Sequence, residues 1–268
     1  RCVLIQGPPG TGKTHVLEKI VRTLSRDQGQ RILIAATSHA AVDNICRRIP
    51  DLPYLRCGRV AENIARDIAE KHWIGIPGNY GEVYRNCHGK GIIFAGTHAT
   101  LLKDAVIQRE VVRHGLFDTL LIDEAGMANA EETLLCTRLA ARIILLGDHR
   151  QLPPFPRPAP VLDLLFGEEG KGTPLHESAA MVTCSAMEWL IRYRKCPVIV
   201  LNKSYRCRNP RLLRFASSMF YGISLHPDRN SEYYRLSAPE REKKYPPSTL
   251  RWLSTSNAPS HVRHEFLD

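Results

Sequence analysis

Long apolar runs are missing: no uninterrupted stretch of the 268 residues approaches the roughly 20 that a membrane helix needs, so no helical span is expected within it. Metal-type spacings are missing too. The eight cysteines contain no C-x-x-C pair, and the eleven histidines contain no H-x-x-x-H pair, which leaves structural zinc and a metallohydrolase without support. Cysteines scattered in this way fit a reducing, intracellular compartment, cytoplasm and nucleus not being distinguished. Cys2, Cys136 and Cys196 lie in or beside apolar stretches and read as core thiols. No internal repeat is present. No leader peptide is visible, although the chain opens on Arg1 rather than Met and its natural start is expected to lie outside the sequence.

Acidic residues are the scarcer charge. Asp+Glu number 27 against 37 Lys+Arg, a formal net charge of +10. This points to a polyanionic partner; the alternative is a merely solvated basic surface. The excess is concentrated in residues 201–268, whereas 101–150 is net acidic, so a basic face is expected away from the acids discussed below.

What is present is an alternation. Short, nearly continuous apolar runs occur at 2–6 (CVLIQ), 32–36, 92–96, 120–122, 143–146 and 198–201. Such runs suit parallel strands covered on both faces. Val16, Leu17, Ile20, Val21 and Leu24 recur at helical spacing between the first two, and a second helix is expected over 40–48. Strands alternating with helices predict a doubly wound α/β domain. Residues 50–90 read as an insertion at one edge of the sheet, with a helix-like segment at 59–70 (RVAENIARDIAE). The Pro-rich stretch at 151–160 reads as a rigid loop leaving a strand end, or as a ligand for a proline-binding module.

The segment GPPGTGKT at 7–14 fits G-x-x-x-x-G-K-[ST] and falls between a strand and an amphipathic helix, where the chemistry requires it. Gly7, Gly10 and Gly12 let successive N–H groups turn toward phosphate oxygens. Pro8, Pro9 and Thr11 complete the loop, and the helix end adds its positive dipole. Lys13 reaches the β/γ-phosphates and the Thr14 hydroxyl ligates Mg²⁺, so ATP and Mg²⁺ are the expected cofactors. Asp123 and Glu124 follow the apolar run LLI, and the carboxyl ends of parallel strands are where ligands gather. Asp123 is placed to hold Mg²⁺ and Glu124 to deprotonate an attacking water; the competing reading is a solvent-exposed acid pair.

Other strand ends carry polar groups as well. LLGDHRQLPP at 145–154 offers Asp148 and Gln151, a phosphate sensor or simply a polar turn. ATSHAAVDN at 36–44 offers the Thr37 and Ser38 hydroxyls to a phosphate backbone or to helix capping, and Thr97 sits similarly after the third strand. Tyr205 and Arg206 lie beside Lys203, Arg208, Arg211 and Arg214, which form either a solvated helix face or a group that reaches a nucleotide across a domain boundary.

Taken in order, GPPGTGKT, ATSHAAVDN, IDEAGMA, GDHRQLPP and YRCRNP, with Phe215, Phe220 and Tyr221 after them, resemble superfamily 1 helicases, in the group that contains the nonsense-transcript regulators. The resemblance spans roughly residues 2–222. It implies two RecA-like domains that clamp ATP and grip single-stranded RNA or DNA across their top, with an AAA-type core working as a monomer. On that basis residues 1–203 form the first domain and 204–268 begin a truncated second. Gln151 senses the γ-phosphate, Arg206 stabilises the transferring charge, and Tyr205 stacks on adenine. Thr37, Ser38, His39 and Thr97 contact nucleic acid. The implied activity is ATP-driven 5′–3′ movement; an ATP-gated clamp or remodeller without strand separation is the rival. Met127 stands where the family often has Gln, and His39 where it commonly has Asn.

Overall fold

The computed structural model describes residues 1–27, 29–76, 78–86, 91–154, 180–181, 183–207 and 210–228. The chain divides into two compact units, Arg1–Leu201 and Asn202–Asp268. The first is built on a seven-stranded sheet. Its strands are β1 (Cys2–Gln6), β2 (Arg31–Ala36), β3 (Tyr54–Arg56), β4 (Ile92–Thr97), β5 (Phe117–Ile122), β6 (Ala140–Gly147) and β7 (Val198–Val200). They lie in the order β3-β4-β2-β5-β6-β1-β7, and every neighbouring pair is parallel. This is the expected RecA-like α/β arrangement.

Successive strand residues face opposite sides, so each apolar run supplies two cores. Leu33, Phe94, Leu120 and Leu145 pack on one face; Ile32, Ile34, Leu121 and Leu146 pack on the other. Each such fully buried side chain contributes about 1.5–3 kcal/mol relative to exposure. The second face is covered by α1 (Lys13–Leu24), through Leu17 and Val21, and by α2 (His39–Cys46), through Val42 and Ile45. The first face is covered through Leu101 of α5 (His98–Lys103), Ile107 of α6 (Ala105–His114), Cys136 of α7 (Ala130–Cys136) and Trp189 of α8 (Ala186–Arg194). Cys136 is buried, whereas Cys2 and Cys196 are half-buried. Among the described residues no helix is long and apolar enough to cross a membrane.

The segment 50–90 differs from its expected form. It supplies β3, an edge strand of the sheet itself, followed by α3 (Arg66–His72) and α4 (Asn79–Asn86). The helix expected over 59–70 begins only at Arg66, after a short 3₁₀ turn, Ala61–Asn63. Ile64 is extended and buried in the core, and the Ala65 N–H donates to Asp43 Oδ2 at 2.8 Å. Both fix the chain in a non-helical path at that point. Residues 155–160 of the Pro-rich stretch, and Arg208, lie outside the described residues.

In the second unit β8 (Lys203–Ser204) pairs in parallel with β9 (His226–Pro227), and Lys203 Nζ meets Asp228 Oδ1 at 2.6 Å. Between them lie α9 (Pro210–Ala216) and a π-helical turn, Ser217–Tyr221.

Candidate nucleotide site and nucleic-acid contact segment

The loop at 7–12 leaves β1 and is tied at once to a neighbour: the Gly7 N–H donates to the Gly147 carbonyl at the end of β6, at 2.9 Å. Thr11 Oγ1 donates to the Pro8 carbonyl at 2.8 Å and closes the turn from inside. Gly10 and Gly12 take φ values of 76° and 81°, left-handed backbone that a side chain disfavours. Because α1 starts straight after Gly12 with no side-chain cap, its first N–H groups and its dipole are left facing the loop. Lys13 Nζ donates to the Gly7 carbonyl at 3.0 Å, holding the ammonium across that loop.

Two strands away, β5 ends and delivers the acid pair. Asp123 is 4% exposed, and its N–H donates to the Ala35 carbonyl at 2.9 Å. Glu124 adopts φ 53°, a conformation costing a non-glycine residue about 1–2 kcal/mol. Four bonds hold that turn closed. The Glu124 N–H donates to Asp123 Oδ1 (3.0 Å), Ala125 N–H to the Leu146 carbonyl (2.9 Å), and Met127 N–H to the Glu124 carbonyl (2.9 Å), while Asp123 is anchored on β2. Burial, and then the negative charge of Glu124, push the Asp123 carboxyl up to about 6; the charges of Lys13 and Arg48 act in the opposite direction. β1 and β5 flank β6, so the Lys13 loop and Asp123 leave the same carboxyl edge of the sheet two strands apart.

The donor set fits a hard divalent cation. Asp123 supplies a buried carboxylate that a positive charge would hold ionised, and Thr14 supplies a hydroxyl at the second position of α1. Among the described residues no group of three or more His, Cys, Asp or Glu side chains forms a metal cage. Mg²⁺ takes one or two protein oxygens together with phosphate and water.

The third strand end, β6, brings Asp148, itself 2% exposed. It accepts from Gln6 Nε2 (3.4 Å), the Arg150 N–H (3.1 Å) and Gln151 Nε2 (2.7 Å). A Cβ placed on Gly126 would strike the Asp148 backbone, so the 123–127 and 147–151 turns touch main chain to main chain. Asp148 thus fixes the Gln151 amide by one N–H. Gln6 links the same carboxylate to the strand that carries the phosphate loop. Gln6 was legible only as the polar last residue of an apolar run, and its partner was not.

Ala36 and Thr97 end β2 and β4 in register, so the two segments expected to contact nucleic acid adjoin. Thr37 and Ser38 are exposed, and Ser38 Oγ caps α2 by accepting from the Ala41 N–H at 3.2 Å. Capping and surface exposure coexist there. Thr97 is buried, with its hydroxyl bonded to Thr100 Oγ1 at 2.8 Å. His39 Nδ1 faces Arg56 Nη2 at 3.1 Å, and burial followed by the Arg56 charge lowers its pKa. The side chains of Thr97 and His39 are thus engaged within the fold. Arg56, fully buried, pairs with Asp43 Oδ1 at 2.7 Å and also donates to the Cys57 carbonyl. No sequence pattern marked this pair. Tyr205 and Arg206 are exposed residues of the second unit, with Lys203 Nζ 5.4 Å from the Tyr205 ring centroid.

Residues 1–179 match the AAA domain family. The chain is 31% identical over 250 residues to the ATP-dependent helicase NAM7 of Saccharomyces cerevisiae, covering 83% of this chain and 24% of that protein. It is 25% identical over 251 residues to the DNA replication ATP-dependent helicase/nuclease DNA2 of the same yeast, 89% of this chain and 15% of that one. To the regulator of nonsense transcripts 1 homolog of Neurospora crassa it is 26% identical over 254 residues, 83% and 21%. It therefore spans about a quarter or less of each of these relatives. A chain whose phosphate loop, paired acids and Asp148–Gln151 turn meet at three adjacent strand ends belongs to the AAA domain family and groups with the superfamily 1 helicases.

Proposed function

We propose that the protein hydrolyses ATP with Mg²⁺ and couples each turnover to 5′–3′ movement along single-stranded RNA or DNA, separating strands as it goes. The observation that carries this is the convergence of Lys13, Asp123 and Asp148–Gln151 at the ends of β1, β5 and β6.

The loop N–H groups and the α1 terminus bind the phosphates of ATP. Lys13 exchanges its bond to the Gly7 carbonyl for a phosphate oxygen. Thr14 and Asp123 would hold Mg²⁺, which would supply neutralisation of the phosphate charge. Glu124, fixed by its strained turn, takes the proton of the attacking water. Gln151, oriented by Asp148, touches the γ-phosphate or that water. Residues 204–268 begin a second RecA-like domain, whose Arg206 stabilises charge on the transferring phosphoryl group and whose Tyr205 stacks on the base. Thr37 and Ser38, exposed at the end of β2, hold the strand backbone. Coupling follows because β2 also carries Ala35, the acceptor for the Asp123 N–H.

The test is strand displacement by the full-length protein on duplexes carrying a 5′ or a 3′ single-stranded tail. ATP-dependent displacement from the 5′-tailed substrate is expected. Stimulated ATP turnover with neither duplex opened would instead assign an ATP-gated clamp.

A further inference from the structure

One guanidinium is buried where the carboxyl ends of β3 and β4 meet α2, and the nucleotide site does not use it. Arg56 is the last residue of β3, in register with Ala95 of β4, and its side chain is fully buried. A buried charge is costly unless it is paired and hydrogen-bonded. The Arg56 donors are divided among three elements. Nε donates to Asp43 Oδ1 of α2 at 2.7 Å. Nη2 donates to His39 Nδ1 at 3.1 Å and to the His39 carbonyl at 3.4 Å. Nη1 donates to the Cys57 carbonyl, just past β3, and to the Ala95 carbonyl of β4 at 3.5 Å.

His39 and Asp43 are four residues apart on α2 and so lie on one side of it; a single planar fork grips both. The other Asp43 oxygen, Oδ2, accepts from the Ala65 N–H at 2.8 Å, at the start of α3. Neutralising charge requires Asp43 alone. The bonds to His39 go beyond that need, and they fall on the first residue of α2, directly after the exposed Thr37 and Ser38. Arginine only donates, so His39 Nδ1 accepts and the ring proton sits on Nε2. Arg56 thus fixes both the backbone and the tautomer at the point where the chain turns from β2 into α2.

That turn carries the residues read as gripping a phosphate backbone. Thr37 and Ser38 bring hydroxyl and N–H groups to a phosphate and no charge, and such bonds need placement within about 0.5 Å. A turn ordered in advance also spares the strand the cost of ordering it on binding.

We propose that Arg56 is a positioning residue for the single strand: it touches no nucleic acid, and it holds the Thr37–Ser38 turn in the geometry that grips the strand backbone. This rests on the reading of that turn as a nucleic-acid contact. Positioning and stability are separated by two variants of the full-length protein. Arg56→Met/Asp43→Asn removes the grip on His39 together with the buried charge that would be left unpaired. Arg56→Lys keeps a cation beside Asp43 but lacks the fork. Each is compared with wild type by urea unfolding, by ATP turnover with and without nucleic acid, and by titration of fluorescent oligo-dT and oligo-U at several salt concentrations. Unfolding lowers the fraction of protein that binds, whereas misplacement lowers the affinity of the folded fraction.

The double variant should unfold near the wild-type midpoint and keep the basal turnover. Its affinity for both oligonucleotides should fall by about tenfold. The nucleic-acid concentration giving half-maximal stimulation should rise to match, with kcat at saturation retained. Arg56→Lys should show the same weakened binding. The slope of log affinity against log salt should stay at the wild-type value in both, because a buried guanidinium releases no counterions from the strand. Wild-type affinity in either variant would overturn the proposal and leave the network as a stability element. A flattened salt slope would overturn it too, since Arg56 would then act on phosphate through its charge. Wild-type protein that binds neither oligonucleotide would defeat the single-strand reading itself, an outcome distinct from these two.

Discussion

Acid should weaken this fold through one histidine. His98 starts α5 immediately after Thr97, is 2% exposed, and is hydrogen-bonded to the Ala36 backbone; its Nε2 is buried without a hydrogen-bond partner. Burial pulls its pKa down to about 4 from an ordinary 6.5. The folded protein therefore holds His98 neutral at pH values where the unfolded chain binds the proton. Stability contributed in this way is fully present above about pH 6.5 and is lost as pH falls toward 4. The whole shift corresponds to about 3 kcal/mol at 1.36 kcal/mol per pH unit. Roughly 2 kcal/mol of it is gone by pH 5. Urea unfolding of wild type and His98→Asn between pH 4 and 7 reads this directly, Asn keeping a donor for the Ala36 carbonyl without a titrating ring. The wild-type curve should fall more steeply with acid than the variant's, by about 2 kcal/mol at pH 5. Parallel curves would show that His98 does not set the acid sensitivity.

Two further outcomes follow from buried charge. Arg56→Met leaves Asp43 buried without its cation, and stability should drop by about 3–5 kcal/mol, seen as a lower urea midpoint, with much of it restored by adding Asp43→Asn. Asp148→Asn replaces an acceptor of the Gln151 amide by a group that can donate; stimulated kcat should fall while ATP affinity stays near wild type, measured by turnover and by nucleotide titration.

The sheet was legible because parallel strands buried on both faces leave nearly unbroken apolar runs; all six expected strands formed, each within a few residues of its bounds. Strand order was not legible, since nothing in CVLIQ says that β1 lies between β6 and β7. β3 escaped for a different reason. It is three residues long and ends in Arg56, and a charged residue reads as surface until its partner Asp43, thirteen positions away, is seen beside it. In the candidate nucleotide site the residue types follow from the chemistry of phosphate binding, so loop and acids could be nominated from spacing alone. The struts behind them, Gln6 and Asp148, act through contacts that sequence does not display. Thr97 and His39 show a different limit: sequence offers both to a phosphate backbone but does not display that the Thr97 hydroxyl bonds Thr100 Oγ1 or that His39 faces Arg56.

Glu124 as the base beside bound ATP is the role on which hydrolysis depends most directly. Substituting Glu124→Gln in the full-length protein preserves the shape of the turn and removes the proton acceptor. Nucleic-acid-stimulated turnover should fall by about 100-fold or more, with ATP still bound at near wild-type affinity. Normal turnover in that variant would rule out Glu124 as the base.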